Sequence, residues 1–164
     1  MKMSDELERL MVEQIRNEIE SAYIYLGMSS AMETSSLPGT KKWMRMQAKE
    51  EIEHGMKFYD YLHSRGANVR LLPIGQVPTT YDSPLSAFEA ALTHEKEVTA
   101  MIHKMYDVAV AQKDYESQNM LNWFITEQVE EEEQTKYFCD RFRFAGKDPC
   151  AILQIDREAG KLAG

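Results

Sequence analysis

The stretch Gln47-Ala48-Lys49-Glu50-Glu51-Ile52-Glu53-His54-Gly55 holds a carboxylate and an imidazole in Glu-x-x-His spacing, Glu51 and His54. On a helix both side chains leave the same face. Such a pair can ligate iron, zinc or manganese. Alone it says little, because Glu and His are ordinary helix-surface residues. Its weight depends on what the other helices bring to the same level.

Four segments carry apolar stripes at alternating steps of three and four. The first stripe reads Ile15, Glu18, Ala22, Tyr25, Ser29, Met32, and the second Met44, Gln47, Glu51, His54, Phe58, Tyr61. The third reads Phe88, Ala91, Glu95, Val98, Ile102, Met105, and the fourth Leu121, Phe124, Gln128, Glu131, Thr135, Phe138, Phe142. Each is broken near its middle by an ionisable or amide residue. Antiparallel packing would bring Glu18, Glu51, His54, Glu95, Gln128 and Glu131 to one level inside the protein. Four carboxylates in a low-dielectric core each cost on the order of several kcal/mol without compensation. Two multivalent cations would supply it, and an oxygen-rich set with one imidazole suits iron or manganese better than zinc or copper. The competing reading places each glutamate at a rim or beside a Lys or Arg. Breaks at mid-length on all four stripes, with no Lys or Arg on them nearby, argue against it. Tyr25 shares a face with Glu18. Its hydroxyl is either satisfied by a site carboxylate within the packing or takes part in redox chemistry at the metals.

The elements that must position these residues can be read in order. Ser4 caps a first helix that ends at Ser35-Ser36-Leu37-Pro38-Gly39, and a second runs from about Thr40 to Arg65, before Gly66. The first helix also shows Leu7, Met11, Ile15, Ile19, Ala22 and Leu26 as an apolar face. Residues 67–83 hold two prolines, with a third at Pro84, and show no helical period. A third helix follows Asp82-Ser83-Pro84 and a fourth ends at Gly146, after which Asp148-Pro149 opens a short fifth. No strand, repeat or low-complexity tract stands out. Helices of roughly 25–30 residues are about 40 Å long. The short outer connections make antiparallel pairs of helices 1–2 and 3–4, and about 17 residues between the pairs can run the length of a bundle.

Composition bounds the partners. The 164 residues suit one domain with a sizeable core. With 27 Asp and Glu against 19 Lys and Arg, a net charge of −8 argues against nucleic acid or an anionic membrane as partner. The two cysteines, Cys139 and Cys150, form no CxxC pair, which disfavours a thiolate metal site and fits a reducing compartment. The N-terminus lacks a signal-peptide core and no run approaches a membrane span, so a cytoplasmic location is expected.

Glu18…Tyr25, Glu50-Glu51-x-x-His54, His94-Glu95 and Trp123-x-x-x-Glu127-Gln128-x-Glu130-Glu131 together resemble the non-haem ferritins of bacteria and archaea, over essentially the whole chain. The fold implied is all-α: a ferritin-like up-down four-helix bundle at about 4–146, one long crossover between helices 2 and 3, and a short fifth helix at about 149–160, as a single domain. Bacterioferritins and rubrerythrins repeat Glu-x-x-His on the fourth helix, where this chain has Gln128-x-x-Glu131. The haem-binding methionine of bacterioferritins is replaced by Ile52, so no haem is expected.

The resemblance also implies roles. Glu18, Glu51 and His54 hold a first iron; Glu51, Glu95 and Glu131 hold a second, with Glu51 bridging and Gln128 beside them. Glu50, Glu127 and Glu130 match a third, weaker iron site, although these three could equally be solvated surface charge. The function implied is iron storage. Iron(II) is oxidised by O2 or hydrogen peroxide at the di-iron ferroxidase centre, and iron(III) is kept as mineral inside a homo-oligomeric cage of twenty-four subunits. The alternative is a rubrerythrin-like di-iron oxidase or peroxidase without storage.

Overall fold

The computed structural model describes residues 3–164. Five helices follow one another: α1 (Asp5–Thr34), α2 (Pro38–Ser64), α3 (Pro84–Ala111), α4 (Tyr115–Ala145) and α5 (Pro149–Leu162). Their ends follow from local chemistry. The Ser4 hydroxyl accepts from Leu7 N–H and starts α1. Ser83 and Ser86 form a reciprocal capping box ahead of α3. Asp114 and Asp148 cap α4 and α5, and Gly146, at φ +57°, closes α4.

The start of α2 is set differently. It begins at Pro38, earlier than the sequence suggests, because proline suits the first helical position. Its flanking residue, Leu37, offers no side-chain cap. The buried carboxylate of Asp156 on α5 takes that role, accepting from Gly39 N–H at 3.1 Å and Thr40 N–H at 2.6 Å. A β-carbon on Gly39 would lie 1.9 Å from the Asp156 carbonyl oxygen, so only glycine admits this approach. The fifth helix, amphipathic but too short to fold alone, is thereby docked on α2 and α4.

α1 packs along α2 and α3 along α4, and α1 also touches α3. Side-chain contacts fix the directions. Along α2, Trp43, Gln47, His54 and Tyr61 meet Phe138, Glu131, Glu127 and Ser117 of α4 in turn, so the two helices are antiparallel. α1 and α3 are antiparallel by the same test: Asn17 meets Met101 and Tyr25 meets Glu95. The crossover between α2 and α3 lies over α1. Glu20 accepts from Gly75 N–H, and a β-carbon on Gly27 would come within 2.4 Å of the Pro78 carbonyl oxygen.

The apolar core is in two parts. One end holds Tyr25, Met32, Trp43, Phe88, Phe138 and Phe142, with Ile155 of α5. The other holds Leu7, Met11, Phe58, Ile102, Leu121 and Phe124. Between them lies the layer formed by the breaks in the four stripes. The α1 stripe through Glu18 and Tyr25 is buried from end to end, whereas Leu26, expected on the apolar face, is 43% exposed and Ile19 is half-buried. A strict four-residue step drifts off the face of a 3.6-residue helix, and the stripe that alternates threes and fours stays on it.

Candidate metal centre

The layer between the two apolar parts gathers Glu18 from α1, Glu51 and His54 from α2, Glu95 from α3, and Gln128 and Glu131 from α4, all buried. Ligand atoms of Glu18, Glu51 and His54 lie within 4.8 Å of one another, and so do those of His54, Glu127 and Glu131. His54 belongs to both groups. Its Nδ1 faces Glu51 and its Nε2 faces Glu127, each at 3.6 Å. Glu95 is held differently: Oε1 accepts from the Tyr25 hydroxyl at 2.6 Å and Oε2 from the Gln128 amide at 3.3 Å. Of the two readings of Tyr25, the geometry corresponds to packing with a satisfied hydroxyl. Its ring packs edge-on against Trp43 and its hydroxyl serves a site carboxylate.

Burial dominates the electrostatics. It raises the Glu18 carboxyl to about 7, against the pull of the Gln14 amide. It raises Glu131 to about 9, with the charges of Glu95 and Glu50 adding to it. Glu51 is held well above the carboxylate range by burial and then by Glu95 and Glu18. Glu95 is also raised by burial, partly offset by the Tyr25 hydroxyl. Burial, then the nearby Lys57, lowers His54 to about 4, so the imidazole is neutral at pH 7 and keeps a lone pair to give a metal. Burial keeps Tyr25 a phenol.

The donor set fits a pair of cations. With both carboxylates ionised, Glu18 Oε2 is buried without a hydrogen-bond donor. A proton shared with Glu51, or a cation between them, resolves that. Glutamates and one neutral imidazole are hard and borderline ligands that suit iron and manganese.

The remaining acidic residues sit toward the surface between α2 and α4. Glu50 and Glu127 are half-buried and Glu130 is exposed. Burial and then the Glu127 charge raise Glu50, and burial and then the Glu130 charge raise Glu127, so the three are electrostatic neighbours. Glu50 and Glu130 line an open groove of about 690 Å³. A Glu127 carboxylate oxygen lies within 4.8 Å of ligand atoms of His54 and Glu131, which makes it a link between the inner layer and the groove. Trp123, on the same side of α4, is 40% exposed and packs against the His54 ring under the Lys57 ammonium.

Two residues contact the layer that the stripes did not single out for a role. Gln14 donates to Glu18 Oε1 at 2.9 Å and Gln47 donates to Glu131 Oε2 at 2.6 Å. Gln47 stands on the α2 stripe one turn before Glu51. Gln14 stands one turn before Glu18, a spacing that allows an amide–carboxylate bond.

A four-helix bundle with one long crossover and a mid-bundle layer of helix-borne carboxylates and histidine is the architecture of the di-iron carboxylate proteins. A family model described as a ferritin-like domain matches residues 8–145. A bacterial non-heme ferritin of Bacteroides fragilis is 35% identical over 159 residues, covering 97% of this chain and 99% of that one. One of Staphylococcus saprophyticus is 33% identical over 156 residues, covering 95% and 93%. An open-pore ferritin of the archaeon Archaeoglobus fulgidus superposes with a TM-score of 0.95 at 39% identity, over 96% of this chain and 98% of that chain. The chain belongs to the ferritin family. The buried carboxylates and His54, which take part in two Glu/His triads able to hold metal, form a site for a pair of iron ions, the arrangement of a ferroxidase.

Proposed function

We propose that this chain is a subunit of an iron-storage ferritin and that Glu18, Glu51, His54, Glu95 and Glu131 bind iron(II) as substrate. The observation that carries the reading is the buried carboxylate layer, with Glu18 Oε2 left without a donor. In the proposed arrangement Glu51 lies between two ions. His54 and Glu18 complete one site, and Glu95 and Glu131 the other. Carboxylates favour iron(III) over iron(II), and two adjacent ions supply the two electrons that take one dioxygen to the peroxide level. Each ion that binds displaces protons from glutamates that burial otherwise keeps protonated. Gln128 holds Glu95 through its amide. Glu50, Glu127 and Glu130 provide a third, weaker site and a path along the groove.

A packed bundle has no room for mineral, so storage requires assembly. Large apolar side chains exposed on α1 and the crossover, Tyr23, Leu26, Leu71 and Ile74, support burial against other copies in a homo-oligomer, which we take to be the twenty-four-subunit cage. No described helix is long and apolar enough to cross a membrane. The unpaired Cys139 and Cys150 accord with a cytoplasmic location.

The test is aerobic addition of iron(II) to metal-free protein, with oxidation and retained iron both measured. Oxidation with iron retained far beyond the ligand set of each chain supports storage. Saturation at the centre alone would favour an oxidase, and no oxidation would refute the reading. Glu131→Ala is expected to slow oxidation, and unchanged kinetics would count against the second site.

A further inference from the structure

We propose that Gln14 and Gln47 are positioning residues, each fixing one outer carboxylate of the centre so that a single oxygen is left for metal. The inference rests on reading the buried layer as a metal centre.

The two amides are used alike. Gln14 Nε2 donates to Glu18 Oε1 at 2.9 Å, and the other oxygen, Oε2, is the one buried without a donor. Gln47 Nε2 donates to Glu131 Oε2 at 2.6 Å. Both glutamines are almost fully buried, at 1% and 0% exposure, so water does not compete for either bond. No side-chain amide donates to Glu51, the carboxylate between them, among the described residues. The outer ligands are thus each pinned on one side, while the central one is free to span two ions.

With the glutamates ionised, as they are when metal binds, the orientation of each amide is forced. Turning Gln47 over would set its carbonyl oxygen against a carboxylate at the same short distance, a repulsive contact. Its nitrogen faces Glu131 even though this leaves Gln47 Oε1 buried with no partner. Gln14 is oriented from behind. Arg16 donates to Asn17 Oδ1 at 2.7 Å, and Asn17 Nδ2 donates to Gln14 Oε1 at 3.3 Å. Every dipole in that chain points its positive end toward Glu18. A positioned outer partner of this kind typically changes metal affinity about 10–100-fold.

The test uses cobalt(II) alone, titrated into the assembled, metal-free protein. Calorimetry gives the affinities, and anomalous scattering from cobalt-treated crystals gives the occupancy of each position. Gln14→Met and Gln47→Met keep side-chain volume and remove the donor. Gln14→Met is expected to weaken the ion beside Glu18 and His54 by about 10–100-fold and spare the ion beside Glu131, and Gln47→Met to do the reverse. Unchanged affinities, or equal weakening of both ions by either variant, would overturn the inference while leaving the metal centre standing. Wild-type protein that takes up no pair of cobalt ions would overturn both. Thermal unfolding of the metal-free variants shows whether they fold. If Gln47→Met does not, Gln47→Leu removes the donor with a smaller apolar side chain, with the same outcome expected.

Discussion

Replacing Glu18 by Gln is expected to stabilise the metal-free protein at alkaline pH while weakening its grip on metal. Glu18 is buried, and its carboxyl is raised from 4.5 to about 7. The folded form therefore holds the proton more tightly than the unfolded chain does. The stabilisation this gives is complete below about pH 4.5 and is lost as pH rises through about 7. At about 1.4 kcal/mol per pKa unit the loss amounts to about 3 kcal/mol. Glutamine keeps the shape and still accepts from Gln14, but it carries no proton to lose. The variant should thus gain about 1 kcal/mol over wild type at pH 5 and about 3 kcal/mol at pH 8. For a chain of this size that is a rise in Tm of roughly 6–12 °C at pH 8. Scanning calorimetry on chelator-treated protein at both pH values measures it. A cation added at pH 8 should reverse the order, because wild type gains more from binding. Equal Tm values at pH 8, or a gain of the same size at pH 5, would refute the claim that buried carboxylates strain the metal-free fold.

Three further outcomes can be checked. Asp156→Ala removes the acceptor for two first-turn N–H groups of α2 and should cost about 1–3 kcal/mol; hydrogen exchange should rise in α5 and around Gly39 and Thr40 before it rises elsewhere. Gly27→Ala places a β-carbon against the Pro78 carbonyl and should cost about 1–3 kcal/mol, with faster proteolysis of the crossover as the local readout. Tyr25→Phe keeps the ring on Trp43 and strips the hydroxyl from Glu95, a loss of about 1 kcal/mol. It should also slow iron(II) oxidation in stopped flow, and unchanged rates would reduce Tyr25 to a packing residue.

The helices and the central layer were legible because both depend on period. Residues 3.6 per turn decide which side chains share a face, and a polar residue on an apolar face is visible without coordinates. The short connections between helices 1 and 2 and between helices 3 and 4 decided the pairing. What stayed hidden depends on contacts distant in sequence. Asp156 caps α2 from another helix, so nothing near Leu37 announces it. Gln47 could be placed on the stripe but not aimed at Glu131, because the partner is on α4. Gln14 faces Glu18 along its own helix and was within reach of a spacing argument. The link from His54 to Glu127 was hidden because Glu127 lies beside the α4 stripe rather than on it.

The layer also shows why the centre lies in mid-bundle rather than at an end. Near a helix end, water would solvate four glutamates and hold them ionised at little cost. Placed between two apolar clusters, the same residues keep protons or take cations, since burial penalises every other state. The fold around them must then be stable enough to carry a layer that works against it. Trp43, Phe88 and Phe138 pack closely on one side of the layer, and Phe58 stacks on Phe124 at 4.2 Å on the other. Trp43 adjoins the site through Tyr25 and Phe124 through the His54 ring, where the dielectric must be low and the walls rigid. The metal-free strain and the affinity for iron then have one cause: carboxylates placed where only a proton or a cation can neutralise them.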